Sequence, residues 1–158
     1  MKSRGGFTLL EITIALAVLM IVGVVLFAAT GHNRDYRNLY NASRRLQADM
    51  RYAQRRAITE GRRIYIHFEH ANNRYRLITR PGVHPISEFV YFQNGITFSL
   101  SGPFVFTGVG FLPRGTPVYP RTIYLYNGGQ PQRPRYRQRI TVIPSGGRTE
   151  VYPIIRLP

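Results

Sequence analysis

An apolar stretch near the start of the sequence limits what this chain can fold into more than any other feature. Residues 12–29 contain a single polar side chain, that of Thr13, and apolar residues already begin at Phe7. About 20 apolar residues suffice to cross ~30 Å of hydrocarbon as an α-helix. The stretch therefore predicts a membrane-spanning helix over residues 7–30.

Glu11 is a charged residue at the threshold of this stretch. A charged side chain costs roughly 2.5–3.5 kcal/mol at the centre of a spanning helix on insertion scales, and less near an end. The alternative is a secretory signal peptide, with Lys2 and Arg4 ahead of the apolar core and cleavage near Ala28 or Ala29. The apolar run exceeds the roughly 7–15 residues of such signals, and helical character continues beyond it, so we favour a retained helix.

Basic residues on both sides of the stretch leave its orientation open. Lys2 and Arg4 precede it, and four arginines follow it closely. The positive-inside rule alone favours a cytoplasmic C-terminus, but long domains translocate largely regardless of charge. The four arginines are Arg34, Arg37, Arg44 and Arg45.

Beyond the span, apolar residues recur at intervals of three and four, which predicts an amphipathic helix over residues 31–61. Gly61 marks the end of that helix, and Gly23 and Gly31 weaken the middle of the whole helical stretch from Phe7 to Glu60. The predicted buried positions are Leu39, Ala42, Leu46, Met50, Ala53, Ala57 and Ile58.

After Gly61 the pattern changes to the period of two that is typical of strands. Asn72 and Asn73 mark the turn of one predicted hairpin, and Asn94 and Gly95 mark another. We expect further strands in residues 103–112, 121–127, 136–144 and 148–155, and no long helix. A helix followed by antiparallel strands over residues 62–158 predicts an α+β fold.

The charge is strongly basic, with 22 Lys and Arg against 7 Asp and Glu, a net charge of +15. Such a surface attracts polyanions. Arg133, Arg135, Arg137 and Arg139 recur at every second residue, so in an extended strand they share one face. Two interpretations remain open: the arginines contact the phosphates of double-stranded DNA, or they protect an edge strand from pairing with other chains.

Signals for catalysis and metal binding are weak. Cysteine is absent, and His67 and His70 lie in a predicted strand and its turn, where they need not face the same way. His32 and His84 lie elsewhere in the sequence. We therefore predict no catalytic residue, no metal site, no cofactor and no enzyme activity.

Gly6, followed by the run Phe7 to Glu11, resembles the type IV prepilin signal. The rest of the chain resembles the GspH/FimT group of minor pilins and pseudopilins in three features. These are an arginine- and alanine-bearing helix that leads into the first strand, at 46–68, a Phe-x-x-x-Gly turn from Phe111 to Gly115, and a closing strand and turn at 140–151. The resemblance implies a pilin fold, in which a long helix with a membrane half and an amphipathic half packs on an antiparallel sheet.

The resemblance also implies how the chain is processed and assembled. Prepilin peptidase would remove the leader, residues 1–6, by cutting between Gly6 and Phe7, and the amine of Phe7 would be methylated. Glu11, then the fifth residue, would pair with the terminal amine of a neighbouring pilin subunit during filament assembly. The chain would be a single-pass protein of the cytoplasmic membrane with an extracytoplasmic C-terminal domain.

Three functional hypotheses follow from the sequence. The first is a structural subunit of a type II secretion pseudopilus or a type IV pilus. The second is a DNA-binding minor pilin of a competence pilus, in which Arg148 joins the four alternating arginines as a candidate DNA contact. Some FimT-like pilins carry a Gly-Arg-x-Arg element, of which this chain keeps Arg148 but has Glu150 in place of the second arginine. The third is a membrane-anchored protein that forms no filament.

Overall fold

The computed structural model describes residues 8–79, 85–101, 107–127 and 134–158, and of residues 25–33 it describes the backbone only. The chain divides into two compact units, Met1–Arg34 and Asp35–Pro158. Gly6 and Phe7, the predicted processing site, lie outside the described residues.

A single α-helix, α1, runs from Leu9 to Glu60 and is continuous through Gly23 and Gly31. Gly61 follows it with φ +62°, a left-handed conformation that glycine adopts without strain and that commonly ends helices. Among helices formed by the described residues, none combines the length and apolar character needed to cross a membrane. The predicted span, residues 7–30, includes Phe7 and the side chains of residues 25–30, which lie outside the described part.

The described residues after Gly61 contain nine strands and no helix. The strands are β1 (Ile64–Glu69), β2 (Arg74–Ile78), β3 (Val90–Tyr91), β4 (Thr97–Ser101), β5 (Gly108–Phe111), β6 (Arg121–Asn127), β7 (Tyr136–Val142), β8 (Thr149–Val151) and β9 (Ile155–Arg156). The first sheet has the order β3-β2-β1-β5, and the second has the order β4-β6-β7-β8 with β9 also paired to β7. All these pairs are antiparallel, as the sequence pattern predicts.

The hydrophobic core joins one face of α1 to the inner faces of both sheets. Five of the seven predicted helix positions are fully buried: Leu39, Leu46, Met50, Ala53 and Ala57. Ala42 is partly buried against the same core. The prediction was wrong for Ile58, which is 52% exposed, because its side chain lies beside Gly115 at the margin of the core.

The first predicted hairpin is confirmed, and the second is not. Strands β1 and β2 pair with Glu69 opposite Arg74, and Asn73 lies in the turn with φ +48°. Asn94 and Gly95 also form a turn, with φ +58° and +70°. The strands on either side of that turn do not pair with each other, because β3 joins the first sheet and β4 joins the second.

The Asn94–Gly95 turn therefore carries the chain from one sheet to the other. Asn73 supports this crossing, since its side-chain amide donates to the carbonyl oxygen of Ile96 at 2.5 Å. Ile96 is buried and Phe92 packs against the core beside it. A type I′ turn sequence specifies the reversal of the chain but not the partner of each flanking strand.

Candidate functional site

Glu11 lies in the first turn of α1, where its local geometry has a simple cause. Its backbone N–H donates to the hydroxyl of Thr8 at 3.3 Å and to the Thr8 carbonyl oxygen at 3.0 Å. Threonine at the N-cap with glutamate three residues later is a capping box. The carboxylate also lies at the positive end of the helix dipole. Glu11 is therefore compatible with the start of this helix before any partner is considered.

The alternating arginines lie in and just before β7. The strand begins at Tyr136, and its buried residues, Gln138, Ile140 and Val142, point toward the core. Arg137 and Arg139 alternate with them and therefore face outward. The predicted extended strand with arginines on one face is thus confirmed for these two residues. Arg135 is exposed just before the strand, and Arg133 lies outside the described residues.

Each outward arginine stacks on a tyrosine of a neighbouring segment. The Arg139 guanidinium carbon is 3.7 Å from the centroid of the Tyr152 ring, and that of Arg137 is 5.5 Å from the Tyr124 ring. These stacks hold the guanidinium groups by cation–π attraction without using their N–H donors. Together with Ile155, the four residues line an open groove of about 340 Å³, which we call the arginine–tyrosine groove.

The groove is positively charged, and a carboxylate reaches it through Tyr152, whose hydroxyl donates to Glu150 at 3.3 Å. The four ion pairs found among the described residues involve neither Arg137 nor Arg139. Arg148 is different, because its Nε lies 3.8 Å from a carboxylate oxygen of Glu150 and its side chain is largely exposed. The groove can therefore stack planar groups and bind anions through the unused N–H donors of its arginines.

The edge-protection interpretation was wrong for Arg137 and Arg139, the two alternating arginines within β7. Strand β7 pairs with β6 along its whole length on one side, and with β8 and β9 on the other. It is therefore an interior strand, which has no free edge to protect. Arg137 and Arg139 lie on the outer face of the sheet instead.

The histidines do not form a site within the described residues. His67 is half-buried on β1, with a ring nitrogen 3.5 Å from the Thr107 hydroxyl, whereas His70 packs on the ring of Phe98. Burial, and then the charge of Arg76, lower the pKa of His67 below 6.5. The described part of the chain has no group of acidic residues, histidines or cysteines suited to a metal ion. The side chain of His32, and His84, lie outside it.

Sequence reasoning missed the tyrosines of the groove. Tyr124 lies directly opposite Arg139 in the β6–β7 pair, and Tyr152 is held beside it because its backbone N–H donates to the Arg139 carbonyl oxygen. The alternation in β6 places Tyr124 and Tyr126 on one face. That alternation was visible in the sequence, but the register that joins them to the arginines was not.

The long helix, the antiparallel sheets and the N-terminal signal together define a pilin-like class of protein. Residues 42–146 match the family described as type II transport protein GspH, and residues 1–27 match the prokaryotic N-terminal methylation motif. Since the first match covers more than half of the sequence, the chain belongs to the GspH family. The predicted resemblance to the GspH/FimT group is confirmed. No curated protein sequence matches the chain.

Two solved structures share the fold at low sequence identity. The minor pseudopilin EpsH from the type 2 secretion system of Vibrio cholerae aligns with a TM-score of 0.59 and 12% identity, over 73% of this chain and 96% of that one. The type IV minor pilin FimU of Pseudomonas aeruginosa aligns with a TM-score of 0.60 and 19% identity, over 75% of this chain and 91% of that one. The α+β pilin fold predicted from the sequence is therefore confirmed.

Proposed function

We propose that this chain is a minor subunit of a filament, either a type II secretion pseudopilus or a type IV pilus. The observation that carries the proposal is the presence of two matches in one chain. A methylation motif covers residues 1–27 and a GspH domain covers residues 42–146. Such a subunit needs no catalytic residue, since its function lies in packing against its neighbours.

The proposed processing leaves Phe7 as the first residue of the mature chain. Prepilin peptidase cuts after Gly6, and the new amine is methylated. Residues 7–30 then hold the subunit in the cytoplasmic membrane, with the C-terminal domain on the extracytoplasmic side. Glu11 becomes the fifth residue, one helical turn from the new terminus.

In this proposal Glu11 pairs with the terminal amine of the next subunit during assembly. A carboxylate buried among apolar helices is strongly unfavourable unless a cation meets it. Removing one partner of such a pair leaves the other charge buried and costs about 3–5 kcal/mol. The pair would therefore select the correct stagger between neighbouring helices, because other staggers leave both charges unmatched.

Replacing Glu11 with alanine tests this role. We expect Glu11→Ala to be processed and retained in the membrane but to be absent from purified filaments. Glu11→Asp keeps the charge and serves as the matched control, with incorporation partly retained. Filaments that contain the alanine variant at the normal level would refute the proposed pairing.

A DNA-binding minor pilin of a competence pilus is the second candidate function. The arginine–tyrosine groove favours it, because nucleic acid is bound by guanidinium groups that contact phosphates and by aromatic rings on which bases stack. Arg135, Arg137 and Arg139 are the described members of the proposed contact, Arg133 extends it, and Arg148 is the candidate from the closing turn.

Titration with double-stranded DNA at several salt concentrations tests this candidate. If the groove contacts phosphates, the double variant Arg137→Gln with Arg139→Gln should weaken binding. The slope of log K against log salt concentration should also become shallower, by the amount that about two phosphate contacts contribute. The control pair Arg37→Gln with Arg63→Gln makes the same charge change at exposed positions of α1 and the segment that follows it. Equal losses in both pairs would mean that only the net charge matters.

A further inference from the structure

A second basic site lies between α1 and the turn that joins β7 to β8. It is an open cavity of about 340 Å³, separate from the arginine–tyrosine groove. Three of its lining residues are arginines, two from the helix and one from the turn. The lining residues are Arg51, Gln54, Arg55, Gly146, Arg148 and Thr149. We call this cavity the three-arginine pocket.

The pocket is held in place by hydrogen bonds from the helix to the turns around it. The side-chain amide of Gln54 donates to the carbonyl oxygens of Gly115 and Gly146, both at 2.8 Å. Two helical turns earlier, the amide of Gln47 donates to the carbonyl oxygen of Thr149 at 3.2 Å. Arg51 and Arg55 are four residues apart in the helix and therefore lie on the same face. These hydrogen bonds therefore fix the backbone positions of the three arginines relative to one another.

Thr149 lines the pocket and carries a buried hydroxyl. The residue is 5% exposed, and its Oγ1 is buried without a hydrogen-bond partner among the described residues. A buried hydroxyl that makes no hydrogen bond is unfavourable. Because this oxygen is closed to solvent, an anion in the open cavity is bound by the arginines.

We propose that the three-arginine pocket binds a carboxylate presented by an acidic neighbouring subunit. This inference rests on the proposed filament function, in which the partners of the domain are other subunits. Arginine binds carboxylates through two parallel hydrogen bonds, and several guanidinium groups around one cavity suit a single compact anion. A nucleic acid backbone presents a row of phosphates instead, which the extended groove on β7 fits better.

The neighbour is a different protein rather than another copy of this chain. Three of the seven acidic side chains are held by close partners within the chain. Glu60 and Glu69 pair with arginines, and Asp49 accepts a hydrogen bond from Tyr75. Copies of this strongly basic chain would also repel one another.

Glu150 is an internal competitor for the pocket. The distance from its carboxylate oxygen to the Nε atom of Arg148 is long, at 3.8 Å. The Arg148 side chain is 79% exposed and the Glu150 side chain is 36% exposed. Exposed pairs of this kind contribute little and exchange readily. A carboxylate from a partner would therefore displace Glu150 from Arg148.

The test uses the full chain in zwitterionic detergent micelles, titrated with a hexaglutamate peptide. Backbone amide shifts of Gly146, Gly147 and Thr149 report binding at the pocket. We expect Arg51→Gln with Arg55→Gln to weaken binding at least tenfold, because charge-assisted hydrogen bonds are lost. The pair Arg37→Gln with Arg63→Gln is the control and should bind within about twofold of the native chain, since salt screens distant charges.

Two further variants separate binding from folding. Thr149→Val removes the buried hydroxyl without changing the shape, and we expect it to fold normally and to bind within about twofold of the native chain, because the oxygen is closed to an anion in the cavity. Glu150→Gln removes the competitor, and we expect it to bind several-fold more tightly. Equal loss in the control pair, or no effect of Glu150→Gln, would overturn the proposed pocket.

The ligand is tested separately with inorganic phosphate and with a short DNA duplex. If either probe binds the pocket more tightly than hexaglutamate and shows the same loss in the Arg51→Gln, Arg55→Gln variant, the carboxylate partner is refuted. The assay requires no filament, so its failure is distinguishable from failure of the Glu11→Ala incorporation test.

Discussion

Replacing Gly147 with alanine tests how the closing turn is joined to α1. Gly147 has φ +67°, and a Cβ atom at this position would lie 2.1 Å from the carbonyl oxygen of Gly115. It would also lie 2.8 Å from the side-chain nitrogen of Gln54, which donates to that same oxygen. The nearest atom belongs to the backbone, so no side chain can rotate to relieve the contact. The turn must therefore move away from the helix.

The size of the effect follows from three contributions. A non-glycine residue in the left-handed region costs about 1–2 kcal/mol. Overpacking adds about 1–3 kcal/mol, and weakening the Gln54 hydrogen bond adds about 0.5–1.5 kcal/mol. We therefore expect Gly147→Ala to lower the free energy of unfolding by about 2.5–6.5 kcal/mol.

Gly146 is the matched control, because it has φ +76° and nothing lies within 4 Å of a Cβ built there. Gly146→Ala should lose only the conformational contribution, about 1–2 kcal/mol. Urea unfolding followed by circular dichroism measures both variants, with the slope m checked for constancy. Equal losses in the two variants would refute the packing of the turn against the Gly115 carbonyl and Gln54.

Three further predictions concern the domain. Burial and the charge of Arg76 lower the pKa of His67 below 6.5 in the folded chain, so the unfolded chain binds a proton on this histidine more readily. The free energy of unfolding should therefore decrease as the pH falls below 6.5. The variant His67→Gln should lack this part of the pH dependence, measured by urea unfolding. Burial, with help from Asp49, raises the pKa of Tyr75, whose hydroxyl donates to Asp49 at 2.6 Å. Tyr75→Phe should therefore cost about 1–3 kcal/mol, and a double-mutant cycle with Asp49→Asn would show no coupling if the bond is unimportant. Leu46→Ala should cost about 2–5 kcal/mol, whereas exposed Ile58→Ala should cost under about 1 kcal/mol; similar shifts in the urea midpoint would contradict the burial pattern.

Much of the domain was predictable because its elements have strong local periodicity. The intervals of three and four from Leu39 to Ala57 identify the buried side of α1, and Gly61 marks its end. The alternation of residues 121–127 and 136–142 identifies two strands that the structure contains. These signals depend on residues close together in sequence.

The pairing of the strands was not predictable from such local signals. The Asn94–Gly95 turn looks like a hairpin turn because it has the right residues and the right φ values. The two flanking strands instead pair with other strands: β3 (Val90–Tyr91) pairs with β2, and β4 (Thr97–Ser101) pairs with β6. The same limitation explains the edge-protection error, since whether β7 is interior depends on strands that precede and follow it.

The functional surfaces divide in the same way. The alternation that places Arg137 and Arg139 on one face was visible in the sequence. Their contacts with Tyr124 and Tyr152 were not, because these contacts depend on how the strands are aligned with one another. The three-arginine pocket combines residues of α1 with Arg148 and Thr149, almost 100 residues later in the sequence. No local pattern joins them, because the contact exists only once the closing turn packs on the helix.

The intact mass of the mature chain, isolated from native membranes, tests the central claim most directly. We predict a chain of residues 7–158 that carries one methyl group on the amine of Phe7, with the apolar helix and Glu11 retained. A chain that begins at Met1, or one shortened by cleavage near Ala28 or Ala29, would contradict the proposed processing and assembly.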